Sequence, residues 1–371
     1  MLYLTLFAVS AILLYFAQKS YARWPMMFWV IAYASIAAMC FFSGARDNTI
    51  GTDIGVYGLE TWHTARSYMG DFWEGSGHVR REPLYFAINY VAAALSNRFG
   101  MALFLIQFAM MAFQLHALKR YMDIVPLWLS ALVFNLYFFN LNLNLMCQGI
   151  AVAVFLWSIR FCESRDFKKL LLCAVICFFI HKSSAIAYAT LFGVYYISGK
   201  PLKKQGRLIA LLAIACVTAV VLYLAVLNYL TSSIPALAQY ASYGVGVFKA
   251  SVSTLDVLMR SMMIAYALIA MRSGLLDKRL ALYAIPYFII DLAIQFLGRY
   301  AFFATRIGYY FFAYEIPLSL VIFSRSKLTS RSKFILTSCI VLYFCYYCIR
   351  FYFVQRDGET YPYTSAFLGI E

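Results

Sequence analysis

Apolar side chains run along this chain in long unbroken blocks, without the alternation of a half-buried strand or the stripe of a surface helix. Residues 2–18, 26–44, 208–229 and 334–354 are each long enough to cross a hydrocarbon core, which needs roughly 20 apolar residues. Further blocks follow with little between them. A lipid core offers backbone N–H and C=O groups no partner, so each block is predicted as a helix that satisfies its own hydrogen bonds. The pattern therefore predicts an all-α, polytopic integral membrane protein with about 11–13 transmembrane or re-entrant helices. With no linker, low-complexity tract or obvious internal repeat, it reads as one membrane domain over 1–371. The first block has no basic region before it and meets its first positive charge at Lys19, so it reads as a retained anchor rather than a cleaved leader.

Composition agrees. With 64% hydrophobic and 13% charged residues, the chain is too apolar for an ordinary soluble globule. The net charge of +15 changes the picture only once it is sorted by position. The short loops 18–24, 118–124, 163–169, 198–207, 272–279 and 324–333 carry 18 Lys and Arg against four acidic residues. The remainder is nearly balanced. This is the signature of cytoplasmic loops under the positive-inside rule, and it gives no support to nucleic-acid binding. Regions 45–82, 230–256, 298–307 and the tail from Gln355 then fall outside.

That assignment creates a conflict of parity. If 83–97 and 101–118 both cross and 170–197 crosses once, the basic loops 118–124 and 163–169 land on the wrong side. The conflict vanishes if 83–97, only 15 residues, dips in without crossing while 170–197 is a hairpin broken at His181-Lys182-Ser183-Ser184. A single helix over 170–197 would be about 42 Å long, too long for a core of roughly 30 Å. In the outer region 45–82, Leu59, Trp62, Ala65, Met69 and Phe72-Trp73 recur at helical spacing, which predicts a helix lying in the interface. It is either an amphipathic connector or a cover over a substrate.

Polar groups that could carry chemistry gather around that region. Arg46, Asp47, Asp53 and Tyr57 lie at its start, and Arg80, Arg81 and Glu82 at its end. Carboxylates beside guanidinium groups suit a base that deprotonates an alcohol and arginines that grip phosphate oxygens, although surface ion pairs look the same in sequence. His181 and Lys182 interrupt an apolar block where ionisable groups are costly, which makes His181 a candidate base or a structural cap at a helix break. His116 reads as structural. Arg299 and Arg306, seven apart, suit either a diphosphate or lipid headgroups. Asp291 and Glu315, within their blocks, are expected as buried counter-ions to those arginines. Asn135, Asn140, Asn142, Asn144 and Gln148 form a polar stripe that could join helices or bind sugar hydroxyls. The nine cysteines lie in or beside apolar blocks, and neither a disulfide framework nor a zinc site is indicated; Cys173 and Cys177, four apart, read as packing.

Taken in order, four blocks resemble the EpsG-like branch of the bacterial O-antigen and exopolysaccharide polymerases, the Wzy group. They are 46–57 (RDNTIGTDIGVY), 82–86 (EPLYF), 144–153 (NLMCQGIAVA) and 178–186 (FFIHKSSAI), and the hydropathy profile agrees over essentially the whole chain. The resemblance implies metal-independent glycosyl transfer at the outer face of the bacterial cytoplasmic membrane, on repeat units carried by undecaprenyl diphosphate. It implies no cofactor, and as partners the lipid-linked oligosaccharide, membrane lipids, a flippase and a chain-length regulator. Arg46, Arg81, Arg299 and Arg306 are then candidates to hold the diphosphate, with Tyr57, Lys182 and Gln148 as further substrate contacts. His181, Glu82 or Asp53 would be the base. Where the family pattern commonly has Arg before the Gln of the third block, this chain has Cys147. A transporter of lipid-linked glycans, or a membrane acyl- or phosphotransferase using His181, would draw on the same residue types.

Overall fold

The structure, a computed structural model, describes residues 2–79, 82–233, 254–298 and 302–371. The expected outer stretch 230–256 therefore falls largely outside it, as do Arg80, Arg81 and Arg299. Fifteen α-helices and no β-strand occur among the described residues: α1 (Leu2–Ser20), α2 (Pro25–Ala45), α3 (Leu59–Ser67), α4 (Phe72–Val79), α5 (Pro83–Leu95), α6 (Gly100–Lys119), α7 (Leu127–Asn144), α8 (Met146–Glu163), α9 (Phe167–Ile180), α10 (Ser184–Ser198), α11 (Leu202–Ser233), α12 (Thr254–Arg272), α13 (Lys278–Gly298), α14 (Phe302–Arg325) and α15 (Ser330–Cys348). Among the described residues, eight helices (α1, α2, α6, α8, α12, α13, α14 and α15) are long and apolar enough to cross a membrane. The chain is an all-α, multi-pass membrane protein.

Two compact units divide the chain. The first comprises Met1–Ser158, Leu171–Lys182 and Phe334–Glu371; the second comprises Ile159–Leu170 and Ser183–Lys333. In the first, α1 packs on α2 and α7, and α2 on α6. The hydroxyls of Ser10 and Ser35 pair at 2.8 Å between α1 and α2, a polar link of the kind that holds helices together where lipid supplies no hydrophobic drive. Gly44 and Gly100 let the ends of α2 and α6 touch through backbone, since a Cβ on Gly44 would sit 2.7 Å from the Gly100 carbonyl oxygen.

Contacts within each unit show which loops share an end. At one end of the first unit, the Gln18 side chain donates to Met122 O at 3.0 Å and accepts from Leu127 N at 2.8 Å, while Lys119 Nζ donates to the Tyr21 hydroxyl. The basic loops 18–24 and 118–124 thus share that end. The opposite end holds Gly44, Gly100 and the folded-back tail, where Asp47 N donates to Thr364 O and Tyr363 donates to Phe42 O. Both ends of α5 lie there too. Its first residue follows Glu82 near the start of α8, and just past its last turn Asn97 O accepts from Arg66. At 13 residues, about 20 Å, α5 is too short to span a hydrocarbon core and has both ends on that side of the unit.

In the second unit Arg165, just before α9, donates to Ser198 Oγ at the end of α10 at 3.0 Å, and Phe167 packs on Phe192 and Tyr195. The chain therefore reverses at residues 181–183, and loops 163–169 and 198–207 meet. Lys327 N likewise donates to Leu275 O at 2.7 Å, which joins loops 272–279 and 324–333. Within each unit, then, the basic loops meet in pairs.

Region 45–82 departs from expectation. In place of one interfacial helix there is a π-turn (Ile54–Gly58), then α3, then α4, with the chain turning at Gly70, whose φ of 105° favours a residue lacking Cβ. Trp62 and Ala65 are buried, whereas Met69 and Trp73 face outward, so the apolar spacing belongs to two short helices with different surroundings.

Candidate active site

Helix ends place the reactive groups. Glu82 is the N-cap residue of α5, whose first helical position is Pro83, and the partial positive charge of a helix N-terminus favours a carboxylate there. Cys147 lies in the first turn of α8. His181 closes α9, its N–H bonded to Cys177 O at 2.8 Å, in the break that precedes α10. These three ends meet in the first unit. His181 Nδ1 lies 3.6 Å from Glu82 Oε1 and 3.6 Å from Cys147 Sγ, and Cys147 Sγ lies 3.9 Å from Glu82 Oε2. The Cys147 thiol donates to Ile180 O at 2.8 Å, and Lys182 N–H points at Glu82 Oε1 from 3.4 Å. The Glu82 and His181 side chains keep 13% and 24% of their exposure, so the cluster is not fully enclosed.

Burial works to raise the Glu82 pKa, but the His181 imidazole and backbone N–H groups, Lys182's among them, together bring it down to about 2. Glu82 is thus an anion at neutral pH, suited to orient an imidazole.

The first sequence block reaches the same place. Tyr57 donates to Asp53 Oδ2 at 2.8 Å, and its oxygen lies 3.5 Å from Cys147 N. Burial first, then the Asp53 charge, pushes the Tyr57 hydroxyl well above its ordinary pKa. Its ring meets Tyr85 edge-on at 5.8 Å. Asp53, 6% exposed, is turned towards Tyr57. Arg46, at the end of α2, is 5% exposed; its Nη2 donates to Leu143 O at 2.9 Å, while Nε and Nη1 have no partner among the described residues. Burial lowers its pKa to about 10, which leaves it cationic at neutral pH. Lys182 is exposed and Gln148 buried.

The asparagine stripe is buried and works as glue. Asn144 Oδ1 accepts from Thr52 N and Oγ1, and Asn140 donates to Thr360 in the tail. His116 bonds Tyr33 at 2.9 Å, a structural contact.

Other expectations change. Arg81 and Arg299 lie outside the described residues. Arg306 lies in the second turn of α14, half-buried, in the second unit. Asp291 and Glu315 pair with Arg260 of α12, which the sequence reading passed over: Arg260 Nε contacts Asp291 Oδ2 and lies 3.9 Å from Glu315 Oε2, with Phe312 stacked 4.2 Å from the guanidinium. Proximity in sequence favoured Arg299 and Arg306 as partners, but packing of α12 on α13 brings Arg260 to Asp291. Cys147, marked in the sequence as standing where the family pattern commonly has Arg, joins the site as a thiol beside Glu82 and His181, a contact that the third block by itself does not record.

The fold and the cluster define a polytopic membrane protein with a carboxylate–imidazole pair at one end of a helical bundle, built from four segments far apart in sequence. Residues 28–365 match the EpsG family, and the chain belongs to that family. Its general activity is accordingly of the polysaccharide-polymerase kind. No curated protein and no solved structure matches the chain.

Proposed function

We propose that this protein polymerises polysaccharide at the outer face of the bacterial cytoplasmic membrane by transferring a glycan from undecaprenyl diphosphate to the acceptor sugar of another lipid-linked repeat unit. The observation that carries this reading is the convergence of all four family-like blocks: Glu82, Cys147 and His181, each from a different block, touch one another, and Tyr57 of the first block touches Cys147. Glu82 takes the Nδ1 side of His181, leaving Nε2 to accept the proton of a sugar hydroxyl. The freed oxygen bonds to the anomeric carbon of the donor, the bond from that carbon to the diphosphate oxygen breaks, and lipid diphosphate leaves with the electron pair. The partnerless N–H groups of Arg46 suit a developing phosphate charge, as preorganised donors stabilise charge best where water is excluded. Exposed Lys182 adds charge at the rim. Asp53 serves by fixing Tyr57, and Gln148 by lining the site.

The test is direct. Purified protein incubated with a lipid-linked repeat unit of its host should give a ladder of polymer lengths, and His181→Ala should slow its growth by about 10²–10⁴-fold. If wild-type protein leaves several native repeat units unextended, the reading fails.

A further inference from the structure

The three donor atoms of Glu82, Cys147 and His181 lie within 4.8 Å of one another. Ligand bonds of about 2.0–2.2 Å to N and O and about 2.3 Å to S, at tetrahedral angles, put such donors roughly 3.4–3.6 Å apart. The observed separations are 3.6 Å from His181 Nδ1 to Glu82 Oε1, 3.6 Å from Cys147 Sγ to His181 Nδ1 and 3.9 Å from Cys147 Sγ to Glu82 Oε2; a turn of the Glu82 carboxylate that presents one oxygen to both, with a few tenths of an ångström of closure, would make the geometry. The donor set also selects the ion. A thiolate with an imidazole favours a borderline or soft cation such as Zn²⁺ over Mg²⁺ or Ca²⁺, which prefer oxygen. Two of the three side chains are only partly covered, which leaves an entry path.

We propose that Glu82, Cys147 and His181 form a three-ligand site for Zn²⁺, with water in the fourth position, and that its occupation silences the His181 base. The proton balance is simple. The Cys147 thiol now donates to Ile180 O, and zinc binding sends that proton to water as the thiolate turns to the metal, so affinity falls with acidity. Ligation occurs at Nδ1, the nitrogen that faces Glu82 and Cys147. A neutral imidazole bound through Nδ1 carries its proton on Nε2, which then cannot accept one from a sugar hydroxyl. The silencing half rests on the polymerase reading; the metal site does not.

The experiment uses the full chain in detergent. Cobalt(II) is titrated into the purified protein as a probe for zinc, and the thiolate-to-cobalt charge-transfer absorption is followed. One equivalent should saturate the band, zinc should displace it, and Cys147→Ala and His181→Ala should each weaken binding by about 100-fold or more. Size-exclusion profiles confirm that the variants are folded. A folded wild-type protein without the band, or a band that survives Cys147→Ala, overturns the site. The elongation assay with and without zinc then reads the second half: wild type should lose about tenfold or more of its rate, and Cys147→Ala should keep its own zinc-free rate. An unchanged or faster rate in wild type with the metal bound overturns silencing. If the metal-free protein does not elongate at all, the polymerase reading fails separately and the cobalt spectrum still decides the site.

Discussion

Two clusters of opposite charge in this molecule look alike in sequence and differ in kind. Glu82 and His181 lie at helix ends in the first unit, with 13% and 24% of their side chains exposed. Arg260, Asp291 and Glu315 lie inside the helices of the second unit, with 4% or less exposed. Burial decides what each can do. A fully enclosed triad has paid its desolvation cost through its own pairing and holds α12, α13 and α14 in register, whereas a half-open pair at a helix break can still receive a substrate. Ionisable residues within membrane blocks therefore divide by exposure and by position along the helix, and residue type alone does not separate them.

The comparison can be broken by substitution. His181→Ala is expected to lower elongation by about 10²–10⁴-fold while the protein still elutes as a folded species, because general-base catalysis contributes on that order. A variant that elongates at the wild-type rate would remove His181 from the site. Arg260→Leu should do the opposite, costing about 3–5 kcal/mol by stranding two buried carboxylates, seen as a lower melting temperature in detergent and a poor yield of folded protein. Replacing Asp291 and Glu315 by Leu in the same chain should recover most of that loss; no recovery would show that the triad does more than pair. Arg46→Gln should reduce elongation by about 10–100-fold, since hydrogen bonds to a charged group are worth about 1.5–3 kcal/mol, and the loss should appear mainly in kcat if the guanidinium meets the leaving diphosphate. Gly100→Ala should cost about 1–3 kcal/mol of stability through overpacking, because its methyl would collide with the Gly44 carbonyl oxygen. Lys182→Ala, whose backbone N–H rather than side chain meets Glu82, should change elongation by less than about fivefold.

The linear order of residues determined a good deal by itself. Block length marked the helices, because lipid forces each spanning segment to bond internally, and clustered Lys and Arg marked the loops expected to share a side. The break at His181 was legible for the same reason: one helix over 170–197 would overrun the bilayer, and the polar run supplied the place. Gly70 shows where such reading stops, since the apolar spacing of 59–73 continues past it while the backbone does not. The meeting of Glu82, Cys147 and His181 belonged to the tertiary structure alone. Their contacts join residues 65 and 34 positions apart, and no periodicity records which helix ends will come together. Arg260 was hidden likewise, 31 positions from Asp291 on another helix. Hydropathy is a local property and could be summed along the chain, whereas the site depends on distances that only the packed helices set.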